Sequence, residues 1–260
     1  MTPHLELAQR AAKAAGQRLN ELLGKAAIEQ KGSTQNLVTQ ADLEAEEIIT
    51  SMILDVFPDH KFLREEGEST GSADSDHLWV IDPLDATNNY AHGIPHYAVS
   101  IAYYEKGAPV AGVILDPTRD ELFSAARGGG ASLNGEPIGV SEHAELSDCI
   151  IGTGFYYDRG ALMERTLKGV HDLFKRNIRG IRRFGSAAVD LCWVACGRFD
   201  GFFEYRLSPW DYAAGGLIIE EAGGKCFDRN GEPLQLDSGS VIVSNHNIAG
   251  KLVDVVKWTD

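Results

Sequence analysis

The sequence predicts a mixed α and β protein whose two halves are built differently. Three observations carry this. Two amphipathic helical stretches open the chain, and three apolar runs separated by turn signals follow between Tyr97 and Ala126. Beyond about Ser141, strand and helix patterns alternate. Residues 1–140 are expected to form an α+β half with an antiparallel sheet, and residues 141–260 an α/β half with a mixed sheet.

The first helix is expected from about Leu5 to Leu23, because Leu5, Ala8, Ala12, Ala15, Leu19, Leu22 and Leu23 share one stripe and Gly24 follows. The polar stretch Glu29–Asn36 reads as an exposed loop. Thr39 and Asp42 have capping-box spacing ahead of a second helix running through Val56 and stopped by Pro58. Lys61–Leu63 is a short strand that runs into the acidic segment Glu65-Glu66-Gly67-Glu68. Leu78–Ile81 is a second strand, ended by Pro83, which cannot donate to a ladder. Tyr97–Tyr104, Pro109–Leu115 and Glu121–Ala126 form a meander, and Asn134-Gly135 is a hairpin turn. In the second half, strands are expected at Cys149–Gly152, Ile178–Arg183 and Gly201–Tyr205. Helices are expected at Leu162–Phe174, Val189–Cys196 and from Trp210 to Ala222, the last closed by Gly223-Gly224.

At 260 residues, 43% hydrophobic and 24% charged, the composition is that of a globular protein with a real core. A net charge of −14 argues against nucleic acid or an anionic membrane as the principal partner. No apolar run is long enough to span a bilayer, no signal-peptide core opens the chain, and a cytoplasmic location is expected. The four cysteines show no C-x-x-C pair and sit among apolar residues, which suggests buried thiols in a reducing compartment.

Chemistry concentrates at Asp82-Pro83-Leu84-Asp85-Ala86-Thr87. Two carboxylates at one corner repel unless neutralised, and a divalent cation such as Mg²⁺ is the usual partner of clustered hard oxygens. Thr87 adds a hydroxyl, and the amides of Ala86 and Thr87 can face an anion. Each acid also has a bland explanation. Asp-Pro-Leu-Asp is a common polar turn, Asp42 and Asp211 suit the first turn of a helix, and an acidic loop at Glu65 is ordinary solvated surface. Their convergence on one cation site is the sharper reading. As the ligand from this acidic segment, Glu65 is favoured over Glu68 because it follows the strand directly. His92 and His96 are expected as turn or packing residues, since the site is all oxygen.

Taken together, Lys31-Gly32, Asn36–Asp42, Glu65-Glu66-Gly67, Asp82–Tyr90, Gly185-Ser186-Ala187-Ala188 and Trp210-Asp211-Tyr212-Ala213-Ala214-Gly215 resemble the inositol monophosphatase family of magnesium-dependent, lithium-sensitive phosphatases. The resemblance runs nearly end to end. It implies a five-layer αβαβα sandwich, one catalytic unit formed by both halves, and a homodimer. It also implies two or three Mg²⁺ ions held by Glu65, Asp82, the Leu84 carbonyl, Asp85 and Asp211, with Asp42 near a weaker third site. Phosphate would rest on the amides of Ala86 and Thr87, while Thr87 and Asp42 orient the attacking water. The leaving alcohol would meet Asp85, Ser186, Ala187, Glu204 and Asp211. The family's usual glycine is Ala86 here, harmless at negative φ and strained at positive φ.

The function implied is hydrolysis of a phosphomonoester of a small polyol or sugar by metal-activated water. The resemblance favours inositol 1-phosphate, because Glu204 lies seven residues before Asp211 as in the family's inositol-specific members. Arg179, Arg182, Arg183 and Arg206 keep a bisphosphate open, and fructose 1,6-bisphosphate, histidinol phosphate and 3′-phosphoadenosine 5′-phosphate are the same-fold alternatives. A non-catalytic or moonlighting partner-binding protein is the reading of another class.

Overall fold

The computed structural model of the chain describes residues 2–25, 28–33 and 36–258. Helices α1 (Pro3–Leu22) and α2 (Gln40–Leu54) pack on each other, with the antiparallel hairpin β1 (Ile28–Ser33) and β2 (Asn36–Thr39) between them in sequence. That hairpin replaces the loop expected over Glu29–Asn36. The polar, glycine-bearing composition hid a pair held by backbone bonds; Thr34 and Gln35 lie outside the described residues.

The first sheet takes its seven strands in chain order: β3 (Lys61–Arg64), β4 (His77–Asp85), β5 (Ala98–Glu105), β6 (Ala108–Asp116), β7 (Glu121–Ala126), β8 (Ala131–Leu133) and β9 (Glu136–Pro137). Between β4 and β5 lies the short helix α3 (Thr87–Ala91). The Asn134-Gly135 turn joins β8 to β9 with both residues at positive φ (51° and 88°), as a two-residue hairpin requires. The second sheet has the order β11-β10-β12-β14-β13, from β10 (Ile150–Thr153), β11 (Gly180–Arg182), β12 (Gly201–Glu204), β13 (Lys225–Phe227) and β14 (Val241–Ser244). Its first three strands are parallel and its last two pair antiparallel. The remaining helices are α4 (Ala161–Phe174), α5 (Ala187–Ala195), α6 (Pro209–Glu221) and α7 (Ala249–Val256).

Burial orders these into five layers. One core lies between α1, α2 and the first sheet, around Ile49, Trp79 and Ile101. A second surrounds α5 and α6, which fill the space between the two sheets. A third lies between the second sheet and α4 with α7, around Leu173, Phe203 and Leu252. Helix α5 is buried on nearly every side, as a helix enclosed by two sheets must be. Helix α6 approaches β6 so closely that a Cβ at Gly112 would meet the Ala214 carbonyl at 2.9 Å, which is why glycine stands there. The layers are the expected αβαβα. All four cysteines are free thiols, three of them buried.

Two departures from the expected first half build the site. First, β3 pairs with β4 in parallel, Arg64 opposite Ile81, so the sheet is not purely antiparallel. Both strands therefore end at the same sheet edge, which sets Glu65 beside Asp82. Second, β4 does not end at Pro83. It continues to Asp85 through a bulge, with Asp82 opposite Ser100 and Asp85 opposite Ala98. Three steps on β4 match two on β5. Residues three apart normally face opposite sides of a strand, and the extra residue returns Asp85 to the face of Asp82. Proline is tolerated because a bulge leaves it without a ladder bond to make.

Candidate active site

The face that carries Asp82 and Asp85 looks toward α5 and α6, and the first turn of α6 supplies the third acid. Ser208 caps that helix, its amide donating to Asp211 Oδ2 at 2.7 Å in a capping box. The Ser100 hydroxyl donates to the Trp210 carbonyl at 3.2 Å and ties this turn to β5. Asp82, Asp85 and Asp211 each offer an oxygen within 4.8 Å of the other two.

These acids line a cavity of about 430 Å³. Glu65, Leu84, Ala86, Thr87, Ala187 and Glu204 line it as well, and Glu68 does not. Glu65 is fixed by a residue the sequence reading passed over. Glu46 on α2 accepts the amides of Glu66 (3.0 Å) and Gly67 (2.7 Å) and lies 3.5 Å from the Arg64 guanidinium. A glutamate one turn after Asp42, on the buried face of the helix, was the available signal.

Burial pushes the Asp82 carboxyl well above the usual carboxylate range, and Glu65, Asp85 and Asp211 push the same way. Asp211 is raised by burial and then by Asp85 and Glu65. Asp85 is raised by burial, opposed by its hydrogen bonds to Ser186 and the Ala188 amide. These carboxylates cannot all stay charged side by side unless a cation lies among them. The donor set is hard oxygen throughout, without histidine or cysteine, which fits Mg²⁺. Leu84, whose amide donates to Asp82 Oδ1 at 3.0 Å, belongs to the same corner.

Thr87 starts α3, and its hydroxyl lies 3.0 Å from Asp42 Oδ1 and 3.2 Å from the Leu84 carbonyl. Asp42 is itself fixed by the Thr39 amide (2.8 Å) and hydroxyl (2.6 Å). Burial lifts its carboxyl to about 6 against those bonds. The capping box foreseen at Asp42 and the first-turn place foreseen for Asp211 are both present; Asp211 also lines the cavity, whereas Asp42 does not and meets it only through Thr87. Ala86 adopts φ 72° and ψ 48° at the N-cap of α3, the left-handed conformation in which a Cβ is strained.

Ser186 stands behind the cavity. Its hydroxyl donates to Asp85 Oδ2 and accepts from the Val189 amide at 3.2 Å, while the Ala188 amide meets the same Asp85 oxygen at 2.8 Å. The start of α5 is thus bolted to Asp85. Glu204 ends β12 on the far wall, buried, its carboxyl pushed up to about 8 by burial, with Arg183 pulling the other way. Gly154 is required beside it, because a Cβ there would lie 1.8 Å from Glu204 Oε2. The cavity is further lined by Asn88, Tyr156, Tyr157, Asp190 and Arg206, of which only Arg206 had been considered from the sequence.

The family model described as the inositol monophosphatase family matches residues 1–257. The chain belongs to that family. It is similar to an inositol-1-monophosphatase from Synechocystis, 43% identical over 256 residues that cover 98% of this chain and 89% of the relative. It is also similar to the Nus factor SuhB of Pseudomonas aeruginosa, 41% identical over 254 residues covering 94% and 92%. The crystal structure of the extragenic suppressor protein suhB from Bartonella henselae superposes with a TM-score of 0.93 at 40% identity, covering all of both chains. No helix among the described residues is long and apolar enough to cross a membrane.

Proposed function

We propose that the chain is a magnesium-dependent phosphomonoester hydrolase, acting as a homodimer on inositol 1-phosphate or a closely related polyol phosphate. The observation that carries this is the cluster of Asp82, Asp85 and Asp211 at one end of a cavity whose other wall holds Glu204. Glu65, Asp82, the Leu84 carbonyl, Asp85 and Asp211 would hold the metal. Bound there, it would supply Lewis-acid activation of water and neutralise phosphate charge.

The chain's own residues do the rest. Thr87 donates to Asp42, which leaves its lone pairs free to accept a hydrogen bond from the attacking water and set its direction. The amides of Ala86 and Thr87 at the start of α3 face the phosphoryl oxygens, and Glu204 accepts hydroxyls of the alcohol. Relatives bearing the name inositol-1-monophosphatase support the substrate.

Arg183 and Arg206 favour a second reading. Both are exposed at the cavity rim, neither has an acid at ion-pair distance among the described residues, and Arg206 stacks on Tyr156 at 4.7 Å. A second phosphate on the substrate would fit them. The test is Mg²⁺-dependent phosphate release from inositol 1-phosphate, fructose 1,6-bisphosphate, histidinol phosphate and 3′-phosphoadenosine 5′-phosphate. The highest kcat/KM is expected for inositol 1-phosphate, and a bisphosphate in first place would move the assignment to the second reading. No release from any of them would refute the hydrolase, and attention would turn to the role named for the Nus-factor relatives.

A further inference from the structure

Behind Glu204, the cavity wall contains a second carboxylate that neither the metal corner nor the phosphate cradle uses. Asp190 is in the first turn of α5, only 1% exposed, yet it lines the cavity. Its Oδ1 lies 3.3 Å from Nε2 of His96, at ion-pair distance but off the line of a hydrogen bond, and neither atom has a hydrogen-bond partner. Oδ2 likewise has none among the described residues. His96 is 3% exposed and wedged between the rings of Phe184 (5.1 Å) and Trp193 (5.3 Å), so it cannot swing away to leave the acid to solvent. His96 is thus the one side chain at pairing distance from Oδ1 among the described residues, and a buried carboxylate needs more hydrogen bonds than that single contact, which a ligand or water at the cavity can supply. The titratable and charged groups facing it among the described residues are His96, Arg183, Asp85 and Glu204.

We propose that Asp190 is a specificity-determining residue that, beside Glu204, accepts hydroxyl hydrogen bonds from the alcohol, so that the substrate class is a polyol phosphate presenting at least two hydroxyls to this wall. Two acceptor carboxylates on one wall suit neighbouring hydroxyls better than a bare alkyl or aryl group, which would leave both acids unpaired. Arg183, at the rim above, offsets their charge. The inference rests on the hydrolase reading.

The test is steady-state hydrolysis by the full chain with Mg²⁺, comparing inositol 1-phosphate with p-nitrophenyl phosphate, whose leaving group carries no further hydroxyl. Asp190→Ala is expected to lose roughly 10- to 100-fold in kcat/KM on inositol 1-phosphate, the range for a hydrogen bond to a charged group, and Asp190→Asn, whose amide oxygen still accepts, roughly 5- to 10-fold, both mainly through KM. On p-nitrophenyl phosphate both should stay within about threefold of the parent, since no hydroxyl is read there. Equal losses on both substrates would overturn the inference by making Asp190 a support for α5 and Asp85. No loss on inositol 1-phosphate would overturn it as well. Should the alanine variant fail to fold, shown by its thermal midpoint, the near-isosteric asparagine variant decides. A parent that releases phosphate from neither substrate would refute the hydrolase reading itself, and this inference with it.

Discussion

Ala86→Gly tests the geometry at the point where the chain departs from the glycine usual in its family. Ala86 sits at φ 72° and ψ 48°, and left-handed backbone costs an L-residue roughly 1–2 kcal/mol that glycine escapes. Two terms oppose that gain. Glycine loosens the unfolded chain by about 0.4–1 kcal/mol. The lost methyl is half-buried against the core under α1 and α2, on the order of 0.4 kcal/mol from half of a buried carbon. The balance runs from about −0.4 to +1.2 kcal/mol, so the thermal midpoint should move by no more than about 4 °C in a chain of this size. Phosphate release should stay within about threefold, because the amides of Ala86 and Thr87 start from the same backbone path. Ala86→Val, β-branched in the same conformation, should instead lose about 2 kcal/mol or more. Thermal melts and urea titrations measure both. A glycine variant destabilised by over about 2 kcal/mol, or one that gains more than tenfold in activity, would refute the reasoning, since either means that the alanine backbone is not held where this structure places it.

Asp85→Asn should lower activity by at least roughly 100-fold, while its midpoint stays close to the parent's. The amide oxygen can still accept from Ser186 and Ala188, and repulsion with Asp82 and Asp211 falls; retained activity would contradict the assigned role. Magnesium at about a hundred times its Kd should add about 2.7 kcal/mol of stability, read as a midpoint shift that Asp82→Asn abolishes. In a chelator, Asp42, Asp82 and Asp211 all have folded carboxyls above their unfolded values. Their contribution is full below the unfolded value near 3.8 and is lost as pH rises, for Asp42 through about 6. Metal-free melts should therefore weaken with rising pH, and added Mg²⁺ should remove that trend. The stacked rings of His4, Phe57, His60, His77 and Tyr103 act in the opposite sense. Burial, then His77 and His4, hold His60 down at about 4, so its contribution is present above 6.5 and lost as pH falls toward 4. His4→Phe should flatten that acid limb of the pH–midpoint curve, and an unchanged limb would exclude the stack as its source.

Much of the architecture was legible because its signals are local. The stripe of α1, the capping box of α2, the Asn134-Gly135 turn and the small-residue helix α5 all declare themselves within a few residues. The errors fell where pairing partners, not local composition, decide structure. Polar residues near Lys31 form a hairpin because their backbones find each other. Pro83 stays within β4 because a bulge opposite Ala98–Ser100 removes the need for its missing N–H. The parallel pairing of β3 with β4 depends on the twelve residues between them crossing back to start β4 at the same end, a path no local pattern reports.

The same distinction divides the candidate site. Asp82, Asp85 and Thr87 occupy one short stretch, although the bulge that aligns the two acids is set by the pairing with β5. Within the corner only Asp82 is held locally, by the Leu84 amide, whereas Asp85 is held by the distant Ala188 amide and the third acid, Asp211, arrives on α6. The wall facing the alcohol has no such contiguous stretch. Asp190, Tyr157 and Arg206 come from a buried helix and two loops at the ends of β10 and β12, and His96, behind Asp190, from a loop after α3. Each looks structural in its own neighbourhood, and His96 reads as packing until Asp190 is found 3.3 Å away. Only the five-layer stacking brings these pieces to one surface. On the proposed function, the reaction is signalled by Asp82–Thr87 together with Asp211, whereas the choice of alcohol would lie in how the layers meet, and substitutions that retune it should fall on α5 and the β10–α4 loop while the acidic corner stays unchanged.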